Sequence, residues 1–346
     1  MRISFLFFLF IYFGRAGAQP YLFYKGDMIS VLTPNSPLPL DSFAASEKEK
    51  HSVTVHFDID SSWDFKVNLK PIEIISPVTK STPKLLFISD IEGEFAWLRQ
   101  LLISNQVIDK NYNWIFGKNK LVVCGDLFDR GLSVTEELWL LYKLEADALA
   151  SGGEVRVLLG NHDIMNLSGD IRYVQPLYLD RAKLMGKVYT DLFAENTELG
   201  KWLRSKNVIE RIGYNLCMHA GMSPQMQEKG LTIEQFNDQL RPWYAKTMSP
   251  DIPEEKKDFF FDDALFWYRG YFEEPLATEA MVDATLQFYG TDRIIVGHTI
   301  QPKVAAFFNG KVIGIDTDWH SGQAQGLLIE RNKLYRVTAR GEKTKL

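Results

Sequence analysis

Lys120–Gly131 reads KLVVCGDLFDRG. The apolar run Leu121–Cys124 has the form of a buried strand, and it stops at Gly125. The turn that follows carries Asp126, Asp129 and Arg130, two carboxylates and a guanidinium within five residues. Four further runs repeat this design. KLLFISD ends at Asp90, VRVLLGNH at Asn161 and His162, YNLCMH at His219, and RIIVGH at His298. In an open α/β sheet the carboxyl ends of the strands converge on one crevice, where ligands bind. One histidine after a strand is ordinarily structural. Five strand ends bearing Asp, Asp, Asn, His and His in order make a metal-site inventory. Glycines flank them in CGD, LGNHD, HAG and VGHT, where a sharp turn and a close backbone approach are needed.

The organisation around these runs fits that reading. From Lys84 onward strands alternate with helical stretches such as EFAWLRQLLISN and SVTEELWLLYKLEADALASGG, the second stopped by Gly152 and Gly153. Residues 163–210 read as mostly helical. Residues 19–80 carry short alternating apolar patterns (YLFYKG, ISVLT, SVTVHFDI, DFKVNL) broken by Pro, Ser and Asp, the signature of strands and turns. A clamp on the sheet edge, a flap over the site and a partner surface are all open for this segment. No internal repeat or low-complexity tract interrupts the chain.

Composition narrows the class. The chain has 346 residues and a net charge of −5, so a basic nucleic-acid-binding face is not expected. MRISFLFFLFIYFGRAGAQP has a positive start, an apolar stretch too short to span a bilayer comfortably, and a small-residue cleavage site at Ala16–Ala18. We expect a secretory leader over residues 1–18, export to a periplasmic or extracellular space, and no stable membrane anchor. Cys124 and Cys217 both lie inside apolar strand-like runs and read as buried free thiols.

Taken together, SD-x-E, GDLFDRG, GNHD, HAGMSP and GHT resemble the calcineurin-like metallophosphoesterases. GD-x-x-DRG with HAG-x-SP resembles their phosphoprotein phosphatase branch. NLSGDIRYV and LFWYRGYF are similar to the Shewanella-like phosphatases within it. The resemblance covers roughly residues 84–330. It implies an α/β sandwich of two mixed β-sheets flanked by helices, over residues 81–346, with a small β-rich N-terminal extension. It also implies a dinuclear phosphatase acting on phosphomonoesters through a metal-bridging hydroxide. One ion would be held by Asp90, Glu92 and Asp126, and the second by Asp126, Asn161, His219 and His298. His162 would protonate the leaving group and Asp129 would orient it; a helix N-cap or a partner for Arg130 is the structural alternative for Asp129. Arg130, Asn161 and Arg269 are the candidates for substrate contact, with a surface ion pair as the other reading of Arg269.

Position 92 departs from the pattern, because the family has histidine where this chain has Glu92. The carboxylate either replaces the imidazole as a ligand, or leaves the first ion weak, or marks a degenerate binding protein. As a ligand it makes the first site all oxygen, suited to Mg²⁺, Mn²⁺ or Ca²⁺, while the second suits Mn²⁺, Fe or Zn²⁺. Mn²⁺ is the expected ion. The expected substrate is a phosphotyrosine-type or aryl phosphate, with a dinucleoside polyphosphate or other phosphoanhydride as the second enzymatic reading. The aromatic cluster Phe259–Phe261, Phe266–Tyr268, Tyr271 and Phe272 is expected in the core, with a cleft wall as its alternative role. Asp316 and Asp318 read as turn residues near the site, and His51, His56 and His320 as structural or exposed. The sequon Asn166-Leu167-Ser168 falls too near the crevice to carry a glycan.

Overall fold

The computed structural model describes residues 19–57, 60–261 and 263–346. The expected leader over residues 1–18 lies outside them. Two six-stranded mixed sheets form the body. The strands in chain order are β1 (Tyr21–Lys25), β2 (Met28–Thr33), β3 (Ser36–Ala44), β4 (Ser52–Val55), β5 (Phe65–Asn68), β6 (Val78–Thr79), β7 (Lys84–Ile88), β8 (Lys120–Cys124) and β9 (Glu154–Leu158). They continue as β10 (Ile209–Ile212), β11 (Asn215–Met218), β12 (Arg293–Val296), β13 (Ala305–Phe307), β14 (Val312–Gly314), β15 (Gln325–Glu330), β16 (Lys333–Thr338) and β17 (Lys343–Lys345). One sheet runs β17-β16-β15-β7-β8-β9 and the other β13-β14-β12-β11-β10-β6.

The apolar runs explain the layering. In β7, Leu85 and Phe87 face inward, and so do Val122 and Cys124 of β8. They meet Ile212, Cys217, Ile295 and Ile313 of the second sheet in one sealed layer. Alternate residues Leu86, Ile88, Leu121 and Val123 join the other core, under helices α1 (Phe95–Ser104) and α2 (Val134–Ala150). Strands covered on both faces have no solvent side, which is why they read as unbroken hydrophobic runs. Cys124 and Cys217 are free and buried. Burial pushes both thiols well above their ordinary range, so neither is a reactive thiolate.

β7, β8 and β9 are parallel, as are β11, β12 and β14, so their carboxyl ends share directions within each sheet. Residues 19–80 fasten the helical layer from outside. Trp139 of α2 donates to Pro20 O at 3.0 Å, and the Tyr24 main chain donates to Asn196 O at 2.7 Å. The β4–β5 hairpin buries Val53, Val55, Phe65 and Val67, with Phe65 stacked against Phe95 of α1 at 6.2 Å. β6 pairs in parallel with β10 and closes that sheet edge. Residues 163–210 hold no strand before β10 and contain the rest of α3 (Asn161–Ser168) and α4 (Pro176–Leu184). No helix among the described residues is long and apolar enough to cross a membrane.

Candidate active site

The strand ends meet in a cavity of about 380 Å³ whose lining includes Asp90, Glu92, Asp126, Asn161, His162 and His298. His219 sits just beneath, fully buried. The turns that present these groups are strained. Asp90, Glu92, Asp126, Asp129, Arg130 and His298 all have φ between 49° and 79°. Each such non-glycine residue costs about 1–3 kcal/mol, and such strain gathers where surrounding structure enforces a functional geometry. Glycine enables the close approach of the turns. A Cβ on Gly160 would lie 2.2 Å from Asp126 Oδ1, and one on Gly297 would lie 2.2 Å from Asp90 Oδ2. Asp163, the last residue of GNHD, ties the loops together by accepting from Gly160 N (2.7 Å), Leu127 N (2.9 Å) and Asp126 N (3.0 Å).

Around His219 the donor set fits a divalent cation. Nδ1 lies 2.8 Å from Cys124 O, which can only accept, so this nitrogen carries the proton. Nε2 then faces Asn161 Oδ1 at 2.8 Å, Asp126 Oδ2 at 3.2 Å and His298 Nδ1 at 3.2 Å. Burial opposes charge on His219, but Asp126 and Asp90 outweigh it and push its pKa up to about 9. The cage attracts positive charge. Burial, with His219 and Arg269 nearby, holds His298 well below the ordinary histidine range, so its ring is neutral. Its buried Nε2 makes no hydrogen bond among the described residues. Ligand atoms of Asp126, His219 and His298 lie within 4.8 Å of one another.

The first expected set is arranged differently. Ligand atoms of Glu92, Asp126 and His162 cluster within 4.8 Å, and Asp90 is not in that group. Asp90 turns both oxygens to the main-chain N–H of His298, at 3.1 and 3.2 Å, and so links the two sheets. The Glu92 carboxylate ion-pairs with Arg130 through Oε1 and lies 2.8 Å from His320 Nε2 through Oε2. His320 Nδ1 lies 2.8 Å from Glu94 Oε1. His320, read as structural or exposed, is exposed and also lines the cavity. No local motif marks it. Its pairing with Glu92 spans 228 residues and is visible only in the fold.

His162 and Asp129 form a pair, Nδ1 to Oδ2 at 2.6 Å. Asp129 Oδ1 accepts from Asn166 Nδ2 at 2.9 Å, whose Oδ1 accepts from Tyr189 OH at 2.7 Å. Asn166 is buried and fully engaged, in keeping with the discounted sequon. Burial opposes the charged His162 ring, yet Asp126 and Asp129 together raise its pKa. Arg130 Nη2 lies 3.2 Å from His162 Nε2. Arg269 reaches the cavity, with Nη1 at 3.1 Å from His298 O and 3.6 Å from Glu273 Oε1.

The aromatic cluster divides. Phe259, Phe260, Phe266, Tyr268 and Tyr271 are core, whereas Trp267 lines the cavity. Tyr173, which the sequence did not single out, also lines the cavity. It is 47% exposed, its ring is 5.2 Å from that of His162, and Arg130 lies over it at 5.7 Å. Asp318 caps a short turn, accepting from Ser321 N at 3.1 Å, as its turn reading implied. Asp316 is buried on the cavity wall, where burial and the charges of Asp90 and Asp126 raise its pKa. His51 stacks on Phe43 at 3.7 Å and His56 pairs with Asp64 at 2.7 Å, both away from the site.

Comparison with known proteins places this geometry. The family model for calcineurin-like phosphoesterases matches residues 83–302. An uncharacterised Schizosaccharomyces pombe protein is 30% identical over 264 residues, 71% of this chain and 76% of that protein. Shewanella-like protein phosphatase 2 of Arabidopsis thaliana is 24% identical over 309 residues, 74% and 76% of the two chains. The solved structure of a cold-active protein tyrosine phosphatase from a psychrophilic Shewanella superposes with a TM-score of 0.85 at 32% identity, covering 94% of this chain and 98% of that one.

Proposed function

Since the chain belongs to the calcineurin-like phosphoesterase family, we propose that this metal-dependent phosphatase hydrolyses aryl phosphomonoesters of the phosphotyrosine type. The observation that carries the reading is the pairing of two aromatic walls, Tyr173 and Trp267, with two guanidinium groups, Arg130 and Arg269, around one cavity. Such walls suit a flat leaving group, and the guanidinium forks suit phosphoryl oxygens. The tyrosine phosphatase named among the structural neighbours supports the same substrate class. The second reading, a phosphoanhydride hydrolase, draws on a 29% match to a Xylella fastidiosa bis(5'-nucleosyl)-tetraphosphatase over 41% of this chain.

Asp126, Asn161, His219 and His298 would hold one ion, and Asp90, Glu92 and Asp126 the other, with Mn²⁺ the expected metal. Two divalent ions supply positive charge for a phosphoryl group and acidify bound water. The protein does the rest. Arg130 and Arg269 neutralise the phosphoryl oxygens that face away from the ligand cage. His162 gives its Nε2 proton to the leaving oxygen, which departs as a neutral phenol, and Asp129 fixes the ring through Nδ1. Asn166 and Tyr189 in turn fix Asp129.

A chromogenic aryl phosphate assay with Mn²⁺, repeated with a chelator and with an alkyl phosphate, tests this. Chelator-sensitive turnover that favours the aryl ester is expected. Absence of turnover with every divalent ion would leave a binding protein instead. We also read residues 1–18 as an export leader. N-terminal sequencing of the natural protein should then begin at Gln19, and retention of Met1 would refute it.

A further inference from the structure

Glu92 differs from the other acidic candidate ligands in what holds it. Main-chain donors fix the two aspartates: His298 N on Asp90 at 3.1 and 3.2 Å, and His162 N on Asp126 at 2.9 Å. The described partners of Glu92 are side chains only: Arg130, His320 and, at 3.9 Å, His162 Nε2. A glutamate also has one more torsion than an aspartate or a histidine, so its carboxylate is aimed only if something anchors it. Arg130 is a poor anchor, with its side chain 45% exposed and its role toward substrate. His320 is a good one, because both of its ring nitrogens are engaged. Nε2 meets Glu92 Oε2 and Nδ1 meets Glu94 Oε1, each at 2.8 Å, so the ring is held at both ends. The turn carrying it, Trp319–Ser321, is anchored by the buried Trp319 and by the Asp318 cap.

We propose that His320 is a positioning residue for the metal centre, holding the Glu92 carboxylate where a ligand atom of it lies within 4.8 Å of those of Asp126 and His162. The chain Glu94–His320–Glu92 is then an outer support of the kind that orients metal ligands, and removing such supports typically weakens metal binding by about 10–100-fold. The inference rests on the reading of Glu92 as a ligand.

Calorimetric titration with Mn²⁺ of the full chain and of H320A, H320Q, E92A and the H320A/E92A double variant tests it, with circular dichroism as the folding control. H320A should weaken one ion about 10–100-fold and leave the other unchanged. H320Q, whose amide N–H can still reach Glu92, should recover part of the loss. The double variant should bind no more weakly than E92A, because both changes act through one carboxylate. If E92A weakens one ion but H320A does not, or if the two losses multiply, the positioning role is overturned and the ligand reading stands. If E92A binds both ions as tightly as the unaltered chain, the ligand reading fails and the inference falls with it.

Discussion

Oδ2 of Asp129 lies 2.6 Å from Nδ1 of His162, and this contact aims the imidazole and adds to its proton affinity. Burial lowers the affinity of the ring for a proton, while Asp126 and Asp129 raise it by more. A raised pKa keeps the acid form present to higher pH. Removing the charge in D129N therefore lowers it, and the alkaline limb of kcat/KM moves to lower pH. The rate at neutral pH should fall by about 10²–10⁴-fold if general acid catalysis is lost. A pH–rate profile of D129N beside the unaltered enzyme checks both. An unmoved alkaline limb would assign Asp129 to structure alone.

The cage around His219 should make stability depend on metal. A ligand present at 100 times its dissociation constant stabilises the folded state by about 2.7 kcal/mol. Thermal melts with and without Mn²⁺ should show that gain as a rise in Tm. H219Q should lose most of the rise, because Nε2 stands within 3.2 Å of Asn161, Asp126 and His298. An equal rise in H219Q would place the ion elsewhere.

Gly297 is a steric requirement of the site. Its added Cβ would come 2.1 Å from Ser89 Oγ and 2.2 Å from Asp90 Oδ2. G297A should cost about 1–3 kcal/mol through overpacking and should weaken Mn²⁺ binding as Asp90 shifts. Denaturant melts and metal titration measure the two effects. The exposed Gly26, with nothing within 4 Å of its would-be Cβ, is the control for the clash, although its positive φ makes an alanine there slightly costly too.

Tyr173 should act on the leaving group. An aromatic contact is worth about 0.5–1.5 kcal/mol, so Y173A should raise KM for an aryl phosphate by up to roughly tenfold. KM for an alkyl phosphate should hardly change. Equal rises for both substrates would mean that Tyr173 merely supports Arg130, which lies over its ring at 5.7 Å.

Much of this arrangement was legible from single segments. The runs ending at Asp90, Asp126, Asn161, His219 and His298 are buried on both faces, so their composition announces strands, and parallel order brings their ends together. The His162–Asp129 pair was implied by the family resemblance that GDLFDRG and GNHD carry, and the two side chains meet at 2.6 Å. What was not legible depends on contacts far apart in the chain. His320 gains its place only when the connection from β14 to β15 folds back over the turn after β7. Tyr173 looks like any loop aromatic until the segment between α3 and α4 brings its ring to the cavity, 5.2 Å from that of His162. For Trp267 both core and cleft wall stood open with the rest of its cluster, because a run of aromatics has no periodicity that tells which ring faces the cleft. The pairing of Asp90 with the His298 main chain was hidden for another reason: a motif names a ligand type but not which atoms its side chain meets.

The most direct test compares kcat/KM of the Mn²⁺-loaded enzyme on one peptide carrying either phosphotyrosine or phosphoserine, with a dinucleoside tetraphosphate as the third substrate. The account predicts that the phosphotyrosyl peptide is hydrolysed fastest and that chelation abolishes the reaction. Preference for the tetraphosphate, or equal rates on the two peptides, would contradict it.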